Sequence, residues 1–223
     1  MTQHRLPQPL PYHLMERIRR GIIAGHHAAG MPLREQALQA EYGCSRAPIR
    51  EALRLLERRG LVTQEPRHGF RVREVGAAEV RQIYEVRALL ERQVVLGLEG
   101  RVTPGLIDAL RAANGVMKAH RAAGDVDRYI EANIAFHAVL RAHAPNEPLG
   151  RALDVVYEMA EPMRHALLQR SLKTSKAAEQ HDAIIVLLEA NRVAEAAEAM
   201  HRHVFTGMPV ALGSVASPPA GKP

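Results

Sequence analysis

The chain has 223 residues, of which 47% are hydrophobic and 24% charged, with a formal net charge of +6. That is an ordinary soluble globular composition, long enough for one large or two small domains. No apolar run reaches the roughly 18–20 residues of a membrane span, and the opening stretch MTQHRLPQPLPYHLMERIRR has no apolar signal core. Its one cysteine, Cys44, excludes a disulfide framework and any multi-cysteine zinc site. A cytoplasmic protein with no membrane partner is expected. Aromatic residues make up only 4% and Trp is absent, so the composition leans to helix.

Charge is unevenly spread. Residues 1–75 hold 13 Arg, no Lys and 7 acids, whereas residues 76–223 hold 17 basic and 17 acidic residues. A neutral body with a basic head suits a nucleic-acid binder, because release of phosphate counterions drives affinity. The all-Arg bias points the same way, since guanidinium grips phosphate and guanine edges bidentately.

In chain order, the proline-rich residues 1–11 predict a flexible arm. Leu14, Ile18, Ile22 and Ile23 fall at helical spacing in a first helix, Tyr12 to Ala24. A Gly/Pro-bounded loop, residues 25–32, leads to a short second helix, Leu33 to Tyr42, with Leu33, Ala37 and Leu38 facing inward. Gly43 suits the left-handed residue after that helix, and Ser45 suits the N-cap of the next. The third helix, Arg46 to Arg59, has Pro48 in its first turn, an apolar stripe of Ile49, Leu53 and Leu56, and Gly60 as its stop. Leu61–Thr63 and Phe70–Val72 predict two strands around a turn from Pro66 to Gly69. Three helices and a small hairpin make the plan of a winged helix-turn-helix over residues 12–75.

Residues 73–76 are the expected linker. Helices are expected near 77–100, 104–123, 126–144, 148–173, 176–190 and 192–206, with Thr103-Pro104 as a cap and first position. Residues 76–207 therefore predict an all-helical antiparallel bundle, and residues 208–223 a disordered tail.

In a helix-turn-helix the second helix of the motif lies in the major groove. Its first turns here carry Arg46 and Arg50, four apart and on one face. Ser45 can bond a phosphate or cap the helix, Arg34 lies on the preceding element, and the wing tip offers Arg67, His68 and Gly69. The stretch from Ile18 to Val75, above all GCSRAPIREALRLLERRGLV followed by RHGFRV, resembles the winged-helix head of GntR-type transcription regulators. The resemblance implies that Arg46 and Arg50 touch operator DNA, with His68 and Gly69 at the minor groove. Ala29, Gln36 and Gln39 depart from that pattern; Gln36 stands where many relatives carry a base-reading Arg.

Seven of the twelve His lie in the second domain. His137 follows Asn133 by four residues and shares its helix face; His181 and His203 lie on later helices. Three imidazoles and one oxygen can close around a divalent ion inside a bundle. VRALLE, NIAFHAVLRAHAPNEPL and EQHDAIIVLLEANRVAEAAEAMHRHV resemble the helical ligand-binding domain of the FadR-like subgroup, called FCD. That resemblance implies a metal set of Asn133, His137, His181 and His203, with zinc or nickel as the ion. Asn133 replaces the usual Asp, and a neutral amide oxygen holds a divalent ion less strongly than a carboxylate. His201 rivals His203. The resemblance also implies a homodimer, a small carboxylate effector met by Arg87, and repression of transcription; the bland alternative for Arg87 is a surface ion pair with Glu91. Met117, Met159, Met163 and Met200 are expected as core filler.

The alternative is a metal-dependent helical-bundle enzyme. A di-metal carboxylate bundle needs paired Glu-x-x-His motifs, and only Glu198–His201 fits. The zinc-protease HExxH string, a nucleophile elbow, a Walker loop and a dinucleotide fingerprint are absent from the sequence.

Overall fold

A computed structural model describes residues 9–172 and 175–216. The chain divides into two compact units, meeting at Val75 and Gly76.

The first unit contains α1 (Leu10–Ile23), β1 (Pro32–Leu33), α2 (Glu35–Tyr42), α3 (Arg46–Arg58), β2 (Val62–Glu65) and β3 (Gly69–Val72). Helix α1 packs against α3, and Leu14, Ile18 and Ile22 meet Ile49, Leu53 and Leu56 in one core with Phe70 and Val72. That is a winged helix-turn-helix, with three refinements. The helix starts at Leu10, so Leu10 and Pro11 leave the expected arm; residues 1–8 of the arm lie outside the described residues. Leu33 is not helical: it pairs with Phe70 as β1, making a three-stranded sheet of order β1-β3-β2. Ala37, expected inward, is exposed: neighbouring residues of a helix point about 100° apart, and the larger Leu38 takes the core side of α2.

The second unit contains α4 (Ala77–Leu96), α5 (Pro104–Ala123), α6 (Val126–His143), α7 (Glu147–Ser171), α8 (Ala177–Glu189) and α9 (Val193–Ala216). Helix α4 packs along α9 and α7, α5 packs on α6 and α8, and α8 packs on α9. Thr103 caps α5 by accepting from Leu106 N at 3.2 Å. Gly124 ends α5 at φ 74°, the left-handed conformation that an L side chain resists.

The tail expected over residues 208–223 needs correcting: α9 continues across Pro209 to Ala216, while residues 217–223 lie outside the described residues. Burial outweighs composition here. Ala211 is fully buried, and at Gly207 the helix passes so close to α4 that an added Cβ would sit 3.3 Å from Tyr84 Cε1.

Candidate nucleic-acid interface and imidazole cluster

The head places its charged side chains outside its core. Arg46 opens α3 and Arg50 follows one turn later, with 68% and 44% of their side chains exposed. Glu35, in the first turn of α2, reaches both: its Oε2 accepts from Arg46 Nε, and its Oε1 lies 3.5 Å from Arg50 Nε. Arg34 is exposed and immediately precedes that turn. Ser45 holds the N-cap position of α3 with extended backbone, yet its side chain makes no capping hydrogen bond. At the wing tip, Arg67, His68 and Gly69 are all exposed, with His68 N donating to Glu65 O at 3.1 Å. Gly69 sits at φ 84° and Arg67 at φ 66°, so the tip turns through left-handed backbone that Gly69 adopts freely and Arg67 only at a cost.

The second unit does the reverse and keeps its functional groups inside. His137 from α6, His181 from α8 and His203 from α9 are 0%, 0% and 8% exposed. Each offers one nitrogen within 4.8 Å of the others, and His181 Nε2 lies 3.2 Å from His203 Nε2. His201 stays outside this group and tilts against Phe205.

An oxygen acceptor faces the Nδ1 of every imidazole. His137 Nδ1 donates to Glu91 Oε2 at 2.7 Å. His181 Nδ1 lies 3.3 Å from Asn114 Oδ1, and Asn114 Nδ2 donates to Ala178 O and Asp182 Oδ1, so the amide's orientation makes Oδ1 the acceptor. His203 Nδ1 donates to Gln180 Oε1 at 2.8 Å, while Gln180 Nε2 donates to Thr206 Oγ1. Proton placement on imidazoles follows such partners. These partners favour the Nδ1–H form of each neutral ring, which leaves Nε2 as the nitrogen able to ligate a metal. Phe136 stacks on His181 at 3.7 Å between centroids and 6° between planes, holding that ring in place.

His181 Nε2 and His203 Nε2, 3.2 Å apart, can share a proton or take a cation between them. Zinc with N ligands at about 2.0–2.1 Å places tetrahedral neighbours about 3.3 Å apart, close to the His181–His203 spacing. Asn133, one turn before His137 on α6, is 7% exposed, and its buried Oδ1 has no hydrogen-bond partner among the described residues. A stranded buried acceptor costs about 1–3 kcal/mol, which a coordinated cation would offset. The donor set therefore fits a divalent metal ion.

Arg87 and Glu91 form a pair on α4, and it is not a surface one: they are 4% and 1% exposed. Arg87 donates from Nε and Nη2 to Glu91 Oε1, both at 3.1 Å, and its guanidinium lies over the Tyr157 ring at 4.8 Å. Tyr157 also donates its hydroxyl to Glu91 Oε1. Burial alone would raise the Glu91 carboxyl, but His137, Arg87 and the hydroxyl outweigh it and hold the group well below the usual carboxylate range.

Against this geometry, residues 12–72 match the bacterial regulatory protein model of the gntR family, and residues 82–206 match the FCD domain model. The chain belongs to the GntR family. An HTH-type transcriptional regulator of Bacillus subtilis, YdhC, is 30% identical over 71% of this chain and 72% of its own. A probable D-xylose utilization operon transcriptional repressor of Paenarthrobacter nicotinovorans is 28% identical over 86% of this chain and 84% of its own. The solved structure of E. coli McbR/YncC shares the fold, with a TM-score of 0.78 at 19% identity over 93% of this chain and 99% of that one.

This GntR-family chain is thus a DNA-binding transcription regulator and not a metal-dependent enzyme. Several of its site residues escape sequence reasoning. Glu91 looks like an ordinary i,i+4 partner of Arg87; Asn114 belongs to no motif; Gln180 stands beside His181 in the FCD-like stretch with no role assigned to it; and Glu35 is one acid among seven in the head. Met117 and Met200 are buried as filler and Met159 is half-buried; the side chain of Met163 lies outside the described residues. No helix among the described residues is long and apolar enough to cross a membrane.

Proposed function

We propose that this regulator is a cytoplasmic, homodimeric repressor that senses a small carboxylate metabolite through a divalent metal, zinc or nickel, in the imidazole cluster. The carrying observation is the geometry of the cluster: three buried imidazoles each bring a nitrogen within 4.8 Å of the others, while Glu91, Asn114 and Gln180 stand at their Nδ1 atoms. His137, His181 and His203, joined by the Asn133 oxygen, would hold the ion. Once bound, the ion supplies a positive charge that a carboxylate can ligate. With only neutral ligands from the protein, that charge is not cancelled, so an anionic effector is favoured electrostatically. Arg87 is already paired with Glu91, and a carboxylate reaching it must compete with that pair.

Two heads related by the dimer two-fold would read half-sites of a palindrome. Arg46, Arg50, Ser45 and Arg34 would face the major groove and flanking phosphates, with Arg67, His68 and Gly69 at the minor groove. The effector acts by binding one arrangement of the heads better than the other.

The test is metal analysis of untagged protein purified without chelator, alongside a thermal-shift screen of small carboxylates. About one divalent ion per chain is expected. So are carboxylate shifts abolished by chelator, since a ligand at a hundredfold excess over its Kd adds about 2.7 kcal/mol. In His137→Ala/His181→Ala, metal and carboxylate response should disappear while DNA binding persists. A normal carboxylate response in that double variant would make the metal incidental.

A further inference from the structure

Glu35 stands between the two arginines of the recognition helix with 14% of its side chain exposed, one carboxylate oxygen directed to each. Both contacts use Nε. The Nη1–Nη2 edge of each guanidinium, which can take guanine O6 and N7 together, is thereby turned away from the carboxylate. We propose that Glu35 is a specificity-determining residue of the DNA-binding head: it buttresses Arg46 and Arg50 toward base edges and opposes their capture by phosphates. This rests on the assignment of Arg46 and Arg50 to the operator face.

Stability does not account for the arrangement, because ion pairs with arginines this exposed contribute little to it. Charge does. A head with 13 Arg against 7 acids is drawn to any duplex, since phosphate contacts carry no sequence information. A carboxylate lodged between the two reading arginines repels the backbone and lowers that indiscriminate attraction, a repulsive element of the kind that specificity requires. It also fixes two long side chains before binding, so less rotamer freedom is lost when bases are met. Its place in the first turn of α2 favours a carboxylate, through the positive end of the helix dipole.

The test uses the full-length protein and two duplexes: one enriched by the wild-type protein from a randomised pool, and a scrambled one of equal base composition. Affinities are measured across a salt series for wild type and Glu35→Gln, which keeps shape and removes charge. The variant should bind the scrambled duplex more tightly, with a log–log salt slope steeper by about one. Its enriched-to-scrambled ratio should fall about tenfold. An equal gain on both duplexes would reduce Glu35 to a long-range charge and overturn the proposal. So would an equal loss on both with a lowered thermal midpoint, which marks a structural role. Arg46→Ala and Arg50→Ala run in parallel. If they collapse the ratio and Glu35→Gln does not, only this proposal fails. If they too leave it unchanged, the operator-face assignment fails first and takes the proposal with it.

Discussion

The two units solve opposite problems with the same residue types. In the head, core and working surface are separate sets: Ile18, Ile49 and Leu53 are fully buried, while Arg46 and Arg50 project from the scaffold. In the bundle the candidate site is itself core, made of imidazoles, an amide, a carboxylate and a guanidinium that are all buried. A surface charge can be altered at little structural cost. A buried polar group that has lost its partner carries the full desolvation penalty. Function and stability should thus separate in the head and move together in the bundle.

The largest effect that follows is at Glu91. Its carboxylate neutralises Arg87, holds His137 and accepts from Tyr157. Glu91→Ala strands a guanidinium in the core and should cost about 3–5 kcal/mol, read as a lower urea midpoint with weaker metal retention. A loss below about 1 kcal/mol, the surface-pair range, would break the comparison.

The head supplies the counterpart. Arg46→Ala should change unfolding stability by less than about 1 kcal/mol yet weaken operator binding by about 1–3 kcal/mol if the guanidinium meets a base bidentately. Denaturant curves and binding at fixed salt on the same preparation check both halves. Parallel loss of stability would show that Arg46 belongs to the scaffold.

The same division explains what was legible in the sequence. Local rules reach local features: Gly43 as a left-handed helix end, Pro104 in a first turn, the apolar stripe of α3, and the facing of Arg46 and Arg50 four residues apart. His137, His181 and His203 are legible through the FCD resemblance; spacing alone does not separate them from the other histidines of the bundle. Their partners are legible by neither route. Glu91 meets His137 across 46 residues and Asn114 meets His181 across 67, contacts that only helix packing creates. Gln180 is adjacent to His181 in the chain but serves His203 on another helix. In the head, the β1 pairing at Leu33 depends on β3, about 40 residues later, and outweighs the helical reading of LREQALQAEY. The end of α9 is hidden for a related reason: Gly, Ser and Pro predict disorder, but Gly207 lies against Tyr84 of α4 and Ala211 is buried.

The smallest effect compares one position in two contexts. Thr103 and Ser45 are both hydroxyl residues at helix N-caps with extended backbone. Thr103 accepts from Leu106 N at 3.2 Å; Ser45 makes no capping bond, although Ser is among the best caps. Thr103→Ala should therefore destabilise the bundle by about 1 kcal/mol with operator affinity unchanged. Ser45→Ala should leave the unfolding midpoint within about 0.5 kcal/mol and instead weaken DNA binding, because a hydroxyl not used by its own helix remains available to a phosphate oxygen. Urea unfolding and salt-matched titration of both variants decide it. If Ser45→Ala costs as much stability as Thr103→Ala, the hydroxyl caps α3 in solution, and that end of the recognition helix is built like the bundle helices rather than reserved for DNA.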